Sequence, residues 1–245
     1  MNYTQEQVDE FILASESVHY FASLCLPQVY KQQTHLLDTY VSDENELSIV
    51  ARQIGNTTIQ AIFVLWRLIF KSHKTTCYTS YNMSLCENFI NKIIDMNDKL
   101  PEHIKAEFTA VTRYTLTNKT NSRVLARPMN SNSLRGLSVD TLIVDLFHFL
   151  SKKNLSDFLH SSFPVLAARS GKLIMSTNIN PNGFKLYEFF NEFNIYHDCG
   201  ISVIPFNKCT HYSELKASRL KQYLSTEHYL SEYCCIDREG IDYAK

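Results

Sequence analysis

The apolar and polar residues of the chain alternate between short apolar runs and longer amphipathic segments. Apolar runs of strand length occur at residues 47–52, 75–79, 141–145 and 172–176. The last two show no regular apolar–polar alternation, which is typical of central parallel strands buried on both faces. Residues 109–116 and 122–127 are also β-rich, and residues 117–121 between them predict a hairpin turn.

Segments with helical periodicity surround these strands. The pattern predicts one helix over residues 5–23 and a second over residues 28–40. Further helices are predicted at residues 57–70, 83–100 (ended by Pro101), 154–166, 184–193, 212–224 and 226–235. Repeated strand–helix units predict an α/β fold with three layers, in which helices flank a mainly parallel sheet and the crossovers are right-handed.

The first strand leads into a glycine-containing loop. Gly55 is followed by two threonines, Thr57 and Thr58, and an amphipathic helix comes directly after them. In this strand–loop–helix arrangement, backbone N–H groups and the helix N-terminus hold nucleotide phosphates. The candidate nucleotide-binding residues of the loop are therefore Arg52, Gln53, Gly55, Asn56, Thr57 and Thr58.

The loop lacks the lysine that usually follows the glycine. Asn56 occupies that position, so the cation that normally neutralises the β- and γ-phosphates is missing. Thr57 still offers the hydroxyl that holds Mg²⁺. Arg52, near the start of the loop, could replace part of the lost charge, because a guanidinium binds phosphate in bidentate fashion.

The run at residues 141–145 ends in an aspartate. In nucleotide hydrolases of this architecture, a carboxylate at this strand end coordinates Mg²⁺, and a following glutamate orients the attacking water. Asp145 is present, but Leu146 takes the place of the glutamate. Two alternatives stay open: Asp145 is a metal ligand or only caps a core strand, and His148 is a base or only a polar residue at a helix start.

The strand at residues 172–176 ends in the small polar residues Ser176, Thr177 and Asn178. Such groups either hydrogen-bond a γ-phosphate and couple its loss to movement, or simply form a turn. Because parallel strands share one carboxyl edge, we expect Gly55, Asp145 and Ser176 to converge there.

Together and in this order, these motifs resemble the ATPase domain of the large terminase subunit, the viral motor that packages double-stranded DNA into a preformed capsid. The resemblance covers about residues 18–237. The segments that carry it are residues 30–33 (Y-x-x-Q), 51–58 (S-R-Q-x-G-K-T-T in the family), 101–104, 133–138 (R-G-x-S) and 176–187.

The resemblance implies a P-loop NTPase fold of the ASCE type with ATP and Mg²⁺ as cofactors. It implies that Gln33 recognises adenine and that Arg52 acts in cis on the γ-phosphate. Thr57 and Asp145 would hold Mg²⁺, and the segment from Ser176 to Asn178 would couple hydrolysis to movement.

Two departures from the family pattern, Asn56 and Leu146, make the Walker A and Walker B motifs of this chain degenerate. Removing one preorganised charge-stabilising group typically slows an enzyme roughly a hundred- to a thousandfold. We therefore expect weak nucleotide binding and a pseudo-ATPase that serves as an interaction module. The alternative is an active DNA-packaging motor with a deviant loop. In both cases the family's nuclease is expected to be encoded separately or absent.

Composition is ordinary for a globular protein: of 245 residues, 44% are hydrophobic and 20% charged. We expect a helical segment (1–45), a nucleotide-binding core (46–195) and a C-terminal part with a strand and helices (196–245).

Seven cysteines without a C-x-x-C pair predict free thiols in a reducing compartment, the host cytoplasm of a phage or phage-derived element, without secretion. The longest apolar run is too short for a membrane span. Four aromatic residues are expected in the core: Phe147, Phe149, Phe158 and Phe163.

A formal net charge of −1 excludes a global basic field. Any binding of double-stranded DNA should thus be weak, local and sensitive to salt. The basic cluster of Lys216, Arg219 and Lys221 faces either solvent or DNA. The apolar faces of the helices around residues 212–235 predict protein contacts, with a second copy of the chain or with terminase or portal proteins.

Overall fold

The computed structural model describes residues 3–193, 199–210 and 213–244. The strands in these ranges are β1 (Asn45–Val50), β2 (Thr75–Ser80), β3 (Phe108–Thr112), β4 (Thr115–Asn118), β5 (Arg123–Pro128), β6 (Thr141–Asp145), β7 (Lys172–Thr177) and β8 (Cys199–Ile204). They form one sheet in the order β3-β4-β5-β2-β6-β7-β1-β8. Pairing is parallel from β5 to β8, whereas β3 and β4 add antiparallel strands at one end.

Helices cover both faces of this sheet. They are α1 (Gln5–Glu16), α2 (Val18–Cys25), α3 (Lys31–Val41), α4 (Asn56–Phe70), α5 (Met83–Lys99), α6 (Lys152–Ala167), α7 (Leu186–Glu192), α8 (Glu214–Tyr223) and α9 (Thr226–Cys234). The three-layer α/β fold predicted from the sequence is confirmed. The predicted helix over residues 212–224 corresponds to α8, but its first residue and the predicted boundary at residues 195–196 lie outside the described residues.

Two apolar clusters, one on each face, hold the layers together. One cluster includes Leu36, Phe63 and Phe89, from α3, α4 and α5. The other includes Phe158 and Phe189, from α6 and α7. All five residues of β6 are buried, as expected for a central strand covered on both faces. This packing fixes the carboxyl ends of β1, β6 and β7 beside one another.

The single helix predicted over residues 5–23 is wrong, because the chain breaks at Ser17. Ser17 has an extended conformation (φ −122°, ψ 105°), and its hydroxyl accepts a hydrogen bond from the N–H of Tyr20. A serine side chain competes with helical hydrogen bonding in this way and favours helix starts. The helical periodicity of the sequence continues across Ser17, and for this reason it predicted one helix in place of α1 and α2.

The predicted hairpin is also corrected. Residues 109–116 do not form one strand but fold back at Arg113 and Tyr114, which gives β3 and β4. The turn before β5 begins after Asn118. The Asn118 side-chain oxygen accepts hydrogen bonds from the N–H groups of Thr120 and Ser122 and so stabilises the turn.

The four aromatic residues assigned to the core divide into two pairs. Phe147 and Phe158 are fully buried, but Phe149 is 36% and Phe163 41% exposed. The prediction is wrong for the last two. Phe158 and Phe163 are five positions apart, which rotates them by about 140° around α6, so only one can face the sheet.

The apolar face of α9 is covered by the chain itself. Tyr229 and Tyr233 are buried, and Tyr229 packs edge-on against Phe206. Exposed apolar side chains concentrate instead on α1: Val8, Phe11, Ile12 and Leu13. In the described ranges no helix is both long and apolar enough to cross a membrane.

Two substitutions on α6 test this packing. Phe158→Ala removes a fully buried ring and should lower the free energy of unfolding by about 3–5 kcal/mol. The matched change Phe163→Ala, on the exposed side of the same helix, should lower it by less than about 1 kcal/mol. Urea denaturation followed by circular dichroism measures both. Equal losses would contradict the placement of α6.

Candidate nucleotide-binding site

A cleft of about 390 Å³ opens at the carboxyl ends of β1, β6 and β7. The glycine-containing loop and the start of α4 form one wall. Further lining residues are Tyr81, Asp145, Leu146, Phe149, Thr177, Asn178 and Glu232. Clefts at this edge of parallel sheets are the usual location of ligand sites in open α/β folds.

The backbone of the loop requires two left-handed residues. Gln53 has a φ of 64° and Gly55 a φ of 88°. A β-carbon on Gly55 would lie 2.6 Å from Nε2 of Gln33, so both conformation and space favour glycine here. Gly55 caps α4, and the free N–H groups of the first helical turn make this end of the helix attractive to anions.

Gln33 lies behind the loop and is not part of the cleft lining. Its Nε2 donates to the carbonyl of Ile54 (3.0 Å), and its Oε1 accepts from the N–H of Tyr30 (3.0 Å). These bonds attach α3 to the loop. The assignment of Gln33 to adenine recognition stays a prediction.

Asn56, at the position of the missing lysine, is directed into the protein. Its Oδ1 accepts a hydrogen bond from the hydroxyl of Tyr40 (2.6 Å), and the residue is 9% exposed. Burial, together with the nearby Asp145 carboxylate, raises the pKa of Tyr40. The hydroxyl therefore stays protonated and donates, so Asn56 has a fixed partner and supplies no charge.

Asp145 is a buried carboxylate that accepts hydrogen bonds from three hydroxyls. The donors are Ser176 (2.6 Å), Tyr78 (2.9 Å) and Thr57 (3.2 Å). Burial raises the pKa of Asp145, and these hydrogen bonds oppose the rise. The three donors come from β7, β2 and α4, so the carboxylate connects the loop helix to the sheet.

Leu146 follows Asp145 with an unusual backbone. Its φ is 60° and its ψ 36°, the left-handed region that branched residues rarely adopt. Its N–H donates to the carbonyl of Ser176 (2.8 Å), and its side chain lines the cleft. An aliphatic side chain at this place can neither accept a proton nor orient a water molecule.

Arg52 is bound to Glu232, which reaches the cleft from α9. Nη1 of Arg52 lies 2.9 Å from Oε2 of Glu232, and the N–H of Arg52 donates to the Glu232 carbonyl (2.7 Å). This side-chain hydrogen bond raises the pKa of Arg52. The charged residues of the cleft lining are thus one cation, Arg52, and two carboxylates, Asp145 and Glu232.

The predicted coupling segment lies on the floor and rim of the cleft. Ser176 is buried and bonded both to Asp145 and to Nε2 of Gln60 (2.7 Å). Thr177 and Asn178 line the cleft directly. The structure therefore brings together Arg52, Gln53, Gly55, Asn56, Thr57, Thr58, Asp145, Thr177 and Asn178 around one cavity. Whether the segment couples hydrolysis to movement stays a prediction.

His148 is turned away from the cleft. Its Nε2 donates to the carbonyl of Phe184 (2.7 Å), and its Nδ1 accepts from the N–H of Asn180 (3.0 Å). A β-carbon on Gly183 would lie 2.4 Å from the ring, so the ring fills a closely fitted place. Burial lowers the pKa of His148 to about 4. A structural role explains these contacts better than the role of a base.

Several side chains of the site were not predicted from the sequence. Tyr78 and Tyr40 lie in segments predicted as an ordinary strand and helix. Gln60 carried a weak signal, since a polar residue three positions after Thr57 lies on the same helix face. Glu232 carried none, because 180 positions separate it from Arg52.

The oxygen ligands of the site fit a magnesium ion. Thr57 and Asp145 present a hydroxyl and a carboxylate oxygen 3.2 Å apart, and hard oxygen ligands are those that Mg²⁺ prefers. Among the described residues no three histidine, cysteine or acidic side chains gather as a metal cluster. A magnesium ion would therefore rely on Thr57, Asp145, water and the phosphates of a nucleotide.

Solved structures with a similar fold exist. No family model matches the chain. A point mutant of the large terminase ATPase domain of Thermus phage P74-26 superposes with a TM-score of 0.71 at 12% identity, covering 89% of this chain and 97% of that domain. The HK97 bacteriophage large terminase superposes with a TM-score of 0.59 at 14% identity, covering 84% of this chain and 44% of that one.

Nucleotide complexes occur among these structures. The large terminase of a thermophilic bacteriophage, bound to ADP, gives a TM-score of 0.66 at 11% identity and covers 87% of this chain and 53% of its own. The same terminase has also been solved with ATP-γ-S. This chain spans about half the length of the whole large terminases that it resembles. At these identities the likeness establishes the fold: this is the fold of phage large terminase ATPase domains.

The burial of His148 predicts a pH-dependent stability. The unfolded chain takes up a proton near pH 6.5, whereas the folded protein resists it down to about pH 4. Below pH 6.5 the unfolded state thus binds more protons, and the free energy of unfolding should fall by at most about 3 kcal/mol towards pH 4. Denaturant titrations across this range should show a shallower pH dependence for His148→Gln. The exposed His228→Gln should keep the dependence of the parent, and identical curves for all three proteins would refute the assignment.

Proposed function

We propose that the chain is a nucleotide-binding module of a viral DNA-packaging machine, with weak nucleotide affinity and little or no ATP hydrolysis. Its fold, the glycine loop at the start of α4, and the pairing of Thr57 with Asp145 support nucleotide binding. The observation that carries the loss of hydrolysis is the hydrogen bond between Tyr40 and Asn56. It places an uncharged, internally bonded amide where a phosphate-binding cation is needed.

Binding would rest on the backbone and on few side chains. The N–H groups of the loop and of the first turn of α4 would hold the phosphates, with Thr57 and Thr58 adding hydroxyls. Magnesium, held by Thr57 and Asp145, would neutralise phosphate charge when bound. Arg52 would contribute a guanidinium only after exchanging Glu232 for a phosphate oxygen. These contributions are enough for binding but leave the γ-phosphate poorly neutralised.

The chemistry of hydrolysis lacks its water-positioning group. Leu146 supplies no carboxylate, and His148 is bonded to Phe184 and Asn180 away from the cleft. Glu232 is the other acidic side chain of the lining, but it is bound to Arg52. With neither the loop cation nor a free base, turnover should approach the uncatalysed rate.

A module without hydrolysis would act by binding other proteins through its surface. Among the partners consistent with the fold are a terminase or portal protein and a second copy of the chain. The exposed apolar side chains of α1 support α1 as the contact surface better than α9, whose tyrosines are buried. DNA contact would be secondary, because the formal net charge is −1.

Restoring both missing groups tests the loss of hydrolysis. The parent protein should show ATP turnover near background in a phosphate-release assay. Asn56→Lys with Leu146→Glu should raise turnover more than the two single changes together, because both groups act on one transition state. If the double variant stays at background while binding nucleotide, the two positions are not what limits hydrolysis.

The alternative, an active packaging motor, is favoured by one observation. The Arg52 side chain is 55% exposed and lies in the cleft, so it can reach a phosphate once Glu232 is displaced. Robust turnover by the parent protein, abolished by Arg52→Ala, would establish this alternative instead.

The pairing of Arg52 with Glu232 predicts a competition with nucleotide. Glu232→Gln removes the carboxylate that competes with phosphate for the guanidinium, and it should tighten binding of a non-hydrolysable ATP analogue with Mg²⁺ roughly two- to fivefold. Glu227→Gln, an exposed change on the same helix, serves as the control and should leave affinity unaltered. Calorimetric titration of both variants decides, and weaker binding by Glu232→Gln would contradict the competition.

A further inference from the structure

A second polar pocket, of about 380 Å³, lies at the amino edge of the sheet. Its floor is a row of three side chains on neighbouring strands. Arg123 of β5 is in register with Thr75 of β2 on one side and with Thr117 of β4 on the other. Registered residues on neighbouring strands project from the same face, so the three side chains stand next to one another.

The walls of the pocket come from two tight turns and one helix end. His73 and Asn121, each with a φ of 58°, lie in the turns that precede β2 and β5. The N–H of His73 donates to the carbonyl of Thr120 (3.1 Å), which joins the two turns. Arg169, in the loop after α6, completes the lining. The pocket is thus assembled from parts of the chain that the sheet fixes in place.

Positive charge is concentrated at this pocket. Arg169 and Lys74 share one carboxylate, Asp140, at 3.4 and 3.1 Å. Within the described residues, Nε of Arg123 donates to the hydroxyl of Thr75 (3.0 Å), and its guanidinium forms no ion pair. Two of these cations, Arg123 and Arg169, line the pocket, and no acidic side chain of the described residues does, although the chain as a whole carries a formal charge of −1.

The position of the pocket separates it from the cleft. Thr75 begins β2, whereas Ser80 ends it next to Asp145, so the two sites lie at opposite edges of the sheet. Six residues of extended strand span roughly 17 Å. A ligand of the cleft and a ligand of this pocket could thus be bound at the same time.

We propose that this pocket is a second binding site, for a phosphate-bearing ligand. Planar guanidinium groups match the oxygen pairs of a phosphate, and both Arg123 and Arg169 line the pocket. Thr117 and Asn121 add neutral hydrogen-bonding groups. Two sources carry this chemistry: a small phosphate compound or the backbone of double-stranded DNA.

The test uses two double variants that change the net charge equally. Arg123→Gln with Arg169→Gln removes both guanidinium groups of the pocket. Lys153→Gln with Arg238→Gln removes two exposed cations elsewhere and serves as the matched control. Pyrophosphate binding is measured by calorimetry, and binding of a labelled DNA duplex by fluorescence anisotropy at several salt concentrations. Thermal unfolding curves confirm that each variant is folded.

We expect the pocket variant to bind pyrophosphate at least roughly tenfold more weakly than the control. If the pocket takes the DNA backbone, duplex affinity should fall as well, and the slope of log affinity against log salt should lessen by about two. Loss of pyrophosphate binding alone identifies a small phosphate compound as the source. Either result supports the site.

Two results would overturn the proposal. One is that the pocket variant and the control variant bind both ligands with equal affinity. If Arg52→Gln then abolishes binding, the ligands occupy the cleft and not this pocket. The other is parental affinity in Arg123→Lys with Arg169→Lys, which keeps the charge but removes the planar forks. In that case the positive electrostatic field of the surface, and not a phosphate site formed by the guanidinium groups, would explain the binding.

Discussion

The hydrogen bonding of one buried carboxylate holds the site in shape. Asp145 sits at the end of a strand covered on both faces, where an ionised group is costly unless it is well paired. Ser176, Tyr78 and Thr57 supply that pairing from three different elements. Burial raises the pKa of Tyr78, which favours the protonated hydroxyl that donates to Asp145. This one group therefore connects the loop helix, β2 and β7 at the carboxyl end of β6.

The same polar layer accommodates the unusual residues of the loop. Asn56 does not leave a void or an unpaired amide, since Tyr40 bonds it from α3. Gln33, also on α3, bonds the loop carbonyl of Ile54. The loop is thus stabilised from behind by neutral hydrogen bonds. The loop can therefore have the shape of a phosphate-binding loop although Asn56 stands where a lysine is usual.

Local sequence patterns predicted the strands, most helices and the loop, because apolar runs and glycine chemistry are visible within a few residues. The local patterns gave wrong element boundaries where a single side chain or turn ends a helix or strand. Ser17 divides one apparent helix, and the turn at Arg113 divides one apparent strand. In the site, Gly55, Thr57 and Asp145 were predictable from motifs. Glu232 was not, because its contact with Arg52 exists only through the tertiary fold.

The strand order has a consequence for how the protein is made. The strand that leads into the loop, β1, pairs only with β7 and β8, which follow it by more than a hundred residues. During synthesis, at about 5–20 residues per second, β1 waits roughly ten seconds for its first neighbour. Until then the apolar side chains of Leu47 and Ile49 have no sheet partner. The loop is made before β7 and β8 and reaches its final form only after both, and an unpaired strand edge is prone to aggregation during such an interval.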